Sequence, residues 1–326
     1  MFKLIPIFLL VAVCYGKGID VHNFLNLIQE KYQTDVETSA TNQLNDDQLS
    51  FTSSRNADLC RFFLYRRATP NMPETVLAER TSVDAASFSD LITTVILIHG
   101  HGGSAFTSLN PIVKDAILSV EDVNLVVVDW SIYASLSYSA AVGTVDDIAA
   151  SVANFINVLI DPIAPVTTLG QIHLVGFNLG AHVAGIAGRS IRGIARITGL
   201  DPSGSQWESN SNRLRRTDAN YVEVIHTDGS GISNNGIGIS LGHIDFYANG
   251  GSSQPGCFTN TCSHERAYEL FAASMSNEDL IGYQCSSNLQ LSLNLCKGLG
   301  VRMGTNHLVK FGGGMYRVNT KRNFPF

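Results

Sequence analysis

The sequence predicts an α/β fold, with a mostly parallel central sheet covered by helices on both faces. Two observations carry this. From Arg61 onward, short apolar segments alternate with amphipathic ones, the pattern of strand–helix–strand units. One of the apolar segments, Ile172–Val175, runs into a tight turn flanked by Gly176 and Gly180, and a small-residue helix begins near Ala181.

The expected strands are Arg61–Tyr65, Thr94–Ile98, Leu125–Asp129, Ile172–Val175, Ala195–Leu200 and Tyr221–His226. Each is rich in Val, Ile, Leu or aromatic residues and too short for a helix. The expected helices are Ser108–Ser119, Val142–Ile160, Ala181–Ser190 and His264–Met275. In the longest, Val145, Ile148, Val152, Phe155 and Leu159 fall on one face at helical spacing. Ahead of the domain, Val21, Phe24, Leu25 and Ile28 also keep helical spacing within Gly18–Tyr32. A polar stretch from Gln33 to Asn56 follows and reads as a linker or loose arm. No internal repeat is visible.

Composition narrows the class. With 326 residues and 44% hydrophobic side chains, the chain is ample for one large core. A net charge of -6 gives no footing for nucleic acid, nor an electrostatic grip on anionic lipid. Met1-Phe-Lys3, the apolar run Leu4–Val13 and the small residues of Cys14-Tyr-Gly16 read as a secretory signal. That run is too short to span a bilayer, so no transmembrane segment is expected. The expected layout is therefore a signal at 1–16, an N-terminal helix and polar arm at 17–58, and the main domain at 59–326. Secretion makes disulfides the default for the cysteines beyond Cys14, and close sequence pairs suggest Cys257–Cys262 and Cys285–Cys296. Cys60 is then left over. The histidines and cysteines lack zinc-site spacing, and neither metal nor cofactor is expected.

The strand–turn–helix at Gly176-Phe-Asn178-Leu-Gly180 is the context in which a Gly-x-Ser-x-Gly nucleophile elbow acquires meaning, but its middle residue is Asn178. Downstream come an acid at a proline-marked turn, Gly199-Leu-Asp201-Pro202, and a histidine in Cys262-Ser-His264. Upstream, the strand Val95–Ile98 ends in the glycine-rich His99-Gly-His101-Gly-Gly, a loop able to offer a backbone N–H to an oxyanion. With Phe62-Phe-Leu-Tyr-Arg, Val127-Val-Asp-Trp130, Val224-Ile-His-Thr227 and Gly242-His-Ile-Asp-Phe246 in the same order, the chain resembles the pancreatic lipase family from Leu59 to Gly304. That family includes triglyceride lipases, phospholipases A1 and fly yolk proteins.

The resemblance implies an α/β-hydrolase fold and a site. Asn178 stands at the nucleophile position, Asp201 at the acid and His264 at the base. The oxyanion donors would be the backbone N–H groups of His101 and Leu179. Both suggested cysteine pairs match bridges of the family. A carboxamide has no O–H for a histidine to activate, so the expectation is a secreted protein without standard catalysis. It would bind lipid or another apolar small molecule in the inherited cleft. An active carboxylic ester hydrolase, triglyceride lipase or phospholipase A1, is the alternative, and a structural protein with a closed pocket is the third reading. Deamidation of Asn178 would create a carboxylate nucleophile, but the apolar Leu179 after it slows that reaction. Ser131 or Ser205 could supply displaced chemistry, with no motif to support either. Asp201 alone could be a turn cap and His264 a helix-start residue. His99, His226 and His243 read as structural hydrogen-bonders, His182 as packed, and Asp129-Trp130 as sheet-edge architecture. The loop between Cys257 and Cys262 is too short for a lid helix, and no sequence remains for a β-sandwich tail of the kind that docks colipase.

Overall fold

The computed structural model describes residues 59–326 apart from 108 and 232, so the expected signal and arm lie outside the described residues. Eleven strands form one sheet. They are β1 (Arg61–Arg66), β2 (Thr69–Val76), β3 (Thr94–Ile98), β4 (Asn124–Asp129), β5 (Ile172–Phe177), β6 (Arg196–Leu200), β7 (Tyr221–His226), β8 (Ile244–Ala248), β9 (Ile281–Cys285), β10 (Gly300–Arg302) and β11 (Gly314–Val318). Their spatial order is β10-β9-β11-β8-β7-β6-β5-β3-β4-β1-β2. Every pairing from β4 across to β11 is parallel, and the antiparallel strands β1, β2, β9 and β10 flank that run. The fold is the α/β-hydrolase architecture.

Strand alternation splits the core in two. Ile96, Ile98, Val126 and Val128 point to one face, where they meet Val145, Ile148, Val152 and Phe155 of the helix Tyr138–Leu159 and the helix Leu179–Ile191. Val95, Leu97, Leu125 and Val127 point to the other, against Val113 and Ile117 of the helix Leu109–Val120 and Ala267 and Phe271 of the helix Asn260–Ala273. Both faces of the central strands are buried, which is why those strands read as unbroken apolar runs. Phe62 of β1 stacks flat on Phe155, ring centroids 4.0 Å apart, and locks the long helix to the flanking hairpin. That helix starts at Tyr138, earlier than expected, because the Ser137 side chain caps it by accepting from the Ala140 N–H at 3.4 Å. It is also the one helix among the described residues long and apolar enough to cross a membrane by length and composition. Its apolar face is spent in the core.

One expectation fails here. Trp130 is not at a sheet edge: β4 lies between β3 and β1, and Trp130 is buried against His99. The flanking β1–β2 hairpin covers the edge that the parallel run alone would expose. Both expected disulfides are present, Cys257–Cys262 with a Cα separation of 5.4 Å and Cys285–Cys296 with 4.5 Å. Cys60 is a buried free thiol, and burial pushes its pKa up to about 12.

Candidate active site

The candidate site sits where the parallel strands end. β5 turns sharply into the helix Leu179–Ile191, and Asn178 occupies the turn at φ 54° and ψ -118°. That conformation costs a non-glycine residue of order 1–3 kcal/mol and persists only where surrounding structure fixes it. The fixing elements are close backbone approaches. A Cβ on Gly180 would collide with the Ile98 carbonyl oxygen of β3, so only glycine lets the helix start this near the sheet. The backbone of Asn178 is pinned from β6, its N–H donating to the Leu200 carbonyl at 3.1 Å.

Asp201 follows β6 and is fully buried. Its Oδ1 accepts from the Thr227 N–H at 2.8 Å and the Asp228 N–H at 3.2 Å. Its Oδ2 lies 2.6 Å from His264 Nδ1. Gly236 leaves the room this carboxylate needs, because a Cβ there would strike it. His264 lies in the first turns of Asn260–Ala273, where Thr259 caps the helix through the Cys262 N–H at 3.2 Å. The Cys257–Cys262 bridge ties the loop before that cap. The imidazole packs on Phe177, ring centroids 4.5 Å apart.

The Asn178 carboxamide is held at both ends. Its Nδ2 lies 2.9 Å from His264 Nε2, and its Oδ1 accepts from the His101 N–H at 3.2 Å. An amide nitrogen can only donate, so Nε2 accepts and the imidazole proton sits on Nδ1, facing Asp201. Leu179 lies at the start of the elbow helix, but its N–H makes no bond to the carboxamide. The His101 loop is itself anchored, with the Gly102 N–H donating to the Ala134 carbonyl at 2.8 Å and His101 Nε2 2.9 Å from the Leu136 carbonyl.

A cleft of about 590 Å³ opens onto this group. Phe177, Tyr138 and Tyr268 line it together with Ser203, Ser205, Asn234, Asn235, Thr261 and Glu265, and neither lysine nor arginine does. Tyr138, Ser203 and Asn235 escape a motif reading. The Tyr138 hydroxyl sits 2.6 Å from both Ser203 Oγ and the Ser205 carbonyl, bracing the wall beside Asn178. The nearest sequence signal is the Ser203-Gly204 pair just after the acid turn. Burial raises the pKa of Asp228, which the Asn235 side chain and backbone N–H partly offset.

The remaining sequence-selected residues are spread through the scaffold. His99 Nε2 accepts from the Trp130 N–H at 3.1 Å, and the Trp130 indole donates to the His99 carbonyl at 2.9 Å. Burial works to raise the pKa of Asp129, but hydrogen bonds from Ser131 and Arg61 outweigh it and hold that carboxyl well below the usual range. His226 links the Ile237 carbonyl, at 2.8 Å, with Asp245, at 2.9 Å. His243 Nδ1 accepts from the Val222 N–H at 3.0 Å. His182 stacks on Trp207 at 4.0 Å, and burial lowers its pKa to about 3. The Ser131 and Ser205 hydroxyls make no bond to His264. Among the described residues no group of three or more His, Cys, Asp or Glu is arranged to hold a metal ion.

Comparison with known proteins agrees with this architecture. The sequence matches the Lipase family over residues 26–310. It is 37% identical to lipase member H-A of Xenopus laevis, over 72% of this chain and 53% of that one. It is 34% identical to human pancreatic triacylglycerol lipase and 32% identical to human inactive pancreatic lipase-related protein 1, in each case over 72% of this chain and 56% of the relative. The chain thus spans about half the length of the curated relatives it matches. Among solved structures, the Pyrococcus furiosus esterase Pf2001 overlaps 54% of this chain and 74% of its own, with a TM-score of 0.33 and 14% identity, which adds nothing to the topology. An elbow, an acid after the next strand and a histidine in a disulfide-bounded helix start, matched over most of the sequence, place the chain in the Lipase family.

Proposed function

We propose that this is an extracellular lipase-family protein that does not turn over esters by serine chemistry and instead holds a lipid or other apolar small molecule in its cleft. The observation that carries the reading is the double engagement of the Asn178 carboxamide. In a serine hydrolase the base must accept a proton from the nucleophile, and the oxyanion donor must be free for the substrate carbonyl. Here both are taken by one side chain that has no acidic O–H. His101 and Leu179 are the oxyanion donors by position, and Asp201 and His264 the acid and base. In their present state His101 and His264 hold the Asn178 carboxamide and line the cleft, and Asp201 orients His264 from behind. The two disulfides support an oxidising compartment. Phe106, 64% exposed and next in sequence to the cleft-lining Thr107, and Phe258, 92% exposed in the Cys257–Cys262 loop, add apolar side chains to the protein surface.

One observation favours a latent enzyme: the Asp201–His264 pair keeps hydrogen-bond distance without a serine to serve. Two measurements decide between the readings. Native mass spectrometry of protein purified from its secreting cells should show a co-purified amphiphile. Hydrolysis of a short-chain fluorogenic ester and of a phospholipid by the wild type should be no faster than by a His264→Ala control. His264-dependent turnover by the wild type would establish the enzyme, and a ligand-free cleft that takes up no added lipid would establish a purely structural role.

A further inference from the structure

The groups around Asn178 are those required to hydrolyse a carboxamide, and the carboxamide they hold is its own. The His101 N–H binds Oδ1 at 3.2 Å, where negative charge develops when the carbonyl carbon is attacked. His264 Nε2 lies 2.9 Å from Nδ2, the atom that must gain a proton to leave as ammonia. Asp201 lies 2.6 Å from the far side of the imidazole and stabilises the imidazolium formed in between. Asn178 lines the cleft and keeps 8% of its surface exposed, so the side chain borders the space from which water can approach.

We propose that the site converts Asn178 to aspartate by His264-assisted attack of water on the side-chain amide. Water adds to Cγ while His264 Nε2 takes its proton, and the oxygen of the tetrahedral intermediate rests on the His101 N–H. The imidazolium returns that proton to Nδ2, the Cγ–Nδ2 bond breaks, and ammonia departs. One water is consumed; the carboxylic acid formed gives its proton to the departing ammonia, so ammonium leaves and a carboxylate remains, with no change of oxidation state. The ordinary route, attack by the following backbone nitrogen through a cyclic imide, is slowed by the side chain of Leu179 and leaves a mixture of aspartate and isoaspartate. The water route leaves aspartate alone. Its product is a carboxylate at the nucleophile position, paired with a histidine and carrying one more negative charge.

This inference does not depend on what the cleft binds. The test is a time course of peptide mass mapping on the folded full-length protein at neutral pH. The Asn178 peptide should gain about one dalton, as aspartate without isoaspartate, with first-order kinetics. General acid–base assistance is worth roughly a hundredfold or more, so His264→Ala should slow conversion by about that factor, and Asp201→Asn should slow it as well. If either variant fails to fold, wild type held in denaturant is the comparison and should convert at the slower rate with isoaspartate present. Retention of the Asn178 amide by the folded wild type, or equal rates in folded, variant and denatured samples, would overturn the proposal.

Discussion

Replacing Asn178 with serine tests whether the surrounding groups still form a catalytic site. The substitution removes the carboxamide from His264 Nε2, now 2.9 Å away, and from the His101 N–H, now 3.2 Å away. It supplies a hydroxyl on a turn whose geometry is already that of an elbow. Restoring a nucleophile to a serine hydrolase is worth about a million-fold in turnover. Two features subtract from that. Of the two positional oxyanion donors, only His101 is seen aligned with an oxygen at the site, and a missing donor costs roughly 10²–10³. A misplacement on the scale of an ångström costs about another 10² where no catalytic demand holds the groups in register. The expected gain of Asn178→Ser over wild type is therefore about 10–10²-fold if both penalties apply in full, rising to about 10⁴-fold if only the misplacement does. The assay is initial-rate hydrolysis of a short-chain fluorogenic ester, with folding checked by circular dichroism. Adding His264→Ala should return the rate to the wild-type background, because the two groups act as a unit. A folded Asn178→Ser protein no faster than wild type would refute the idea that the geometry is intact apart from one residue.

Other consequences follow from the scaffold. Gly180→Ala should destabilise the fold by about 1–3 kcal/mol in a denaturant titration, since the new methyl meets the rigid Ile98 carbonyl and not a yielding side chain; an unchanged midpoint would mean the elbow relaxes. Cys60 should resist thiol reagents in the native protein and react on unfolding, because burial lifts its pKa to about 12; native-state labelling would contradict its burial. Burial lowers the pKa of Lys310 from 10.5 to about 8, partly offset by Glu223. The unfolded chain therefore holds this proton between about pH 8 and 10.5 where the folded one has released it, and stability relative to Lys310→Met should rise with pH across that window. A flat or falling difference would show that Lys310 keeps its proton in the fold.

The central strands and the four long helices were legible because both faces of the sheet are buried and the helices bury one stripe, so each leaves a clear period. Of the flanking strands, β1 was legible as Arg61–Tyr65, whereas β2, β9 and β10 were not, nor were β8 and β11 at the end of the parallel run. β2 contains Pro70 and Pro73 and is largely exposed, which its place at the sheet edge tolerates but no apolar pattern announces. β8 and β11 each follow a glycine-bearing loop, and Asp245 and Arg317 interrupt their apolar residues. At the site, the positions of Asn178, Asp201 and His264 followed from motif order, and the structure brings the three side chains together. What the carboxamide does there was beyond the sequence, because it depends on a side-chain rotamer and a backbone N–H from a loop 77 residues away. The Tyr138–Ser203 brace was equally hidden, being a contact between a helix start and a turn 65 residues apart.

The two ends of the parallel sheet carry different burdens. At the amino ends of β6 and β7, Arg196 and Glu223 are fully buried, 3.1 Å apart, and Lys310 joins the same carboxylate. Arg196 also gathers the carbonyls of Gly304, Thr305 and His307, clasping the segment after β10 to the strands. Removing one partner from such a cluster strands a buried charge, so this pole is intolerant of change. The carboxyl ends hold Asn178, Asp201 and the cleft, away from that clasp. A residue there can be exchanged with the architecture left standing, so an asparagine can occupy a nucleophile's turn in a chain that still folds as a lipase.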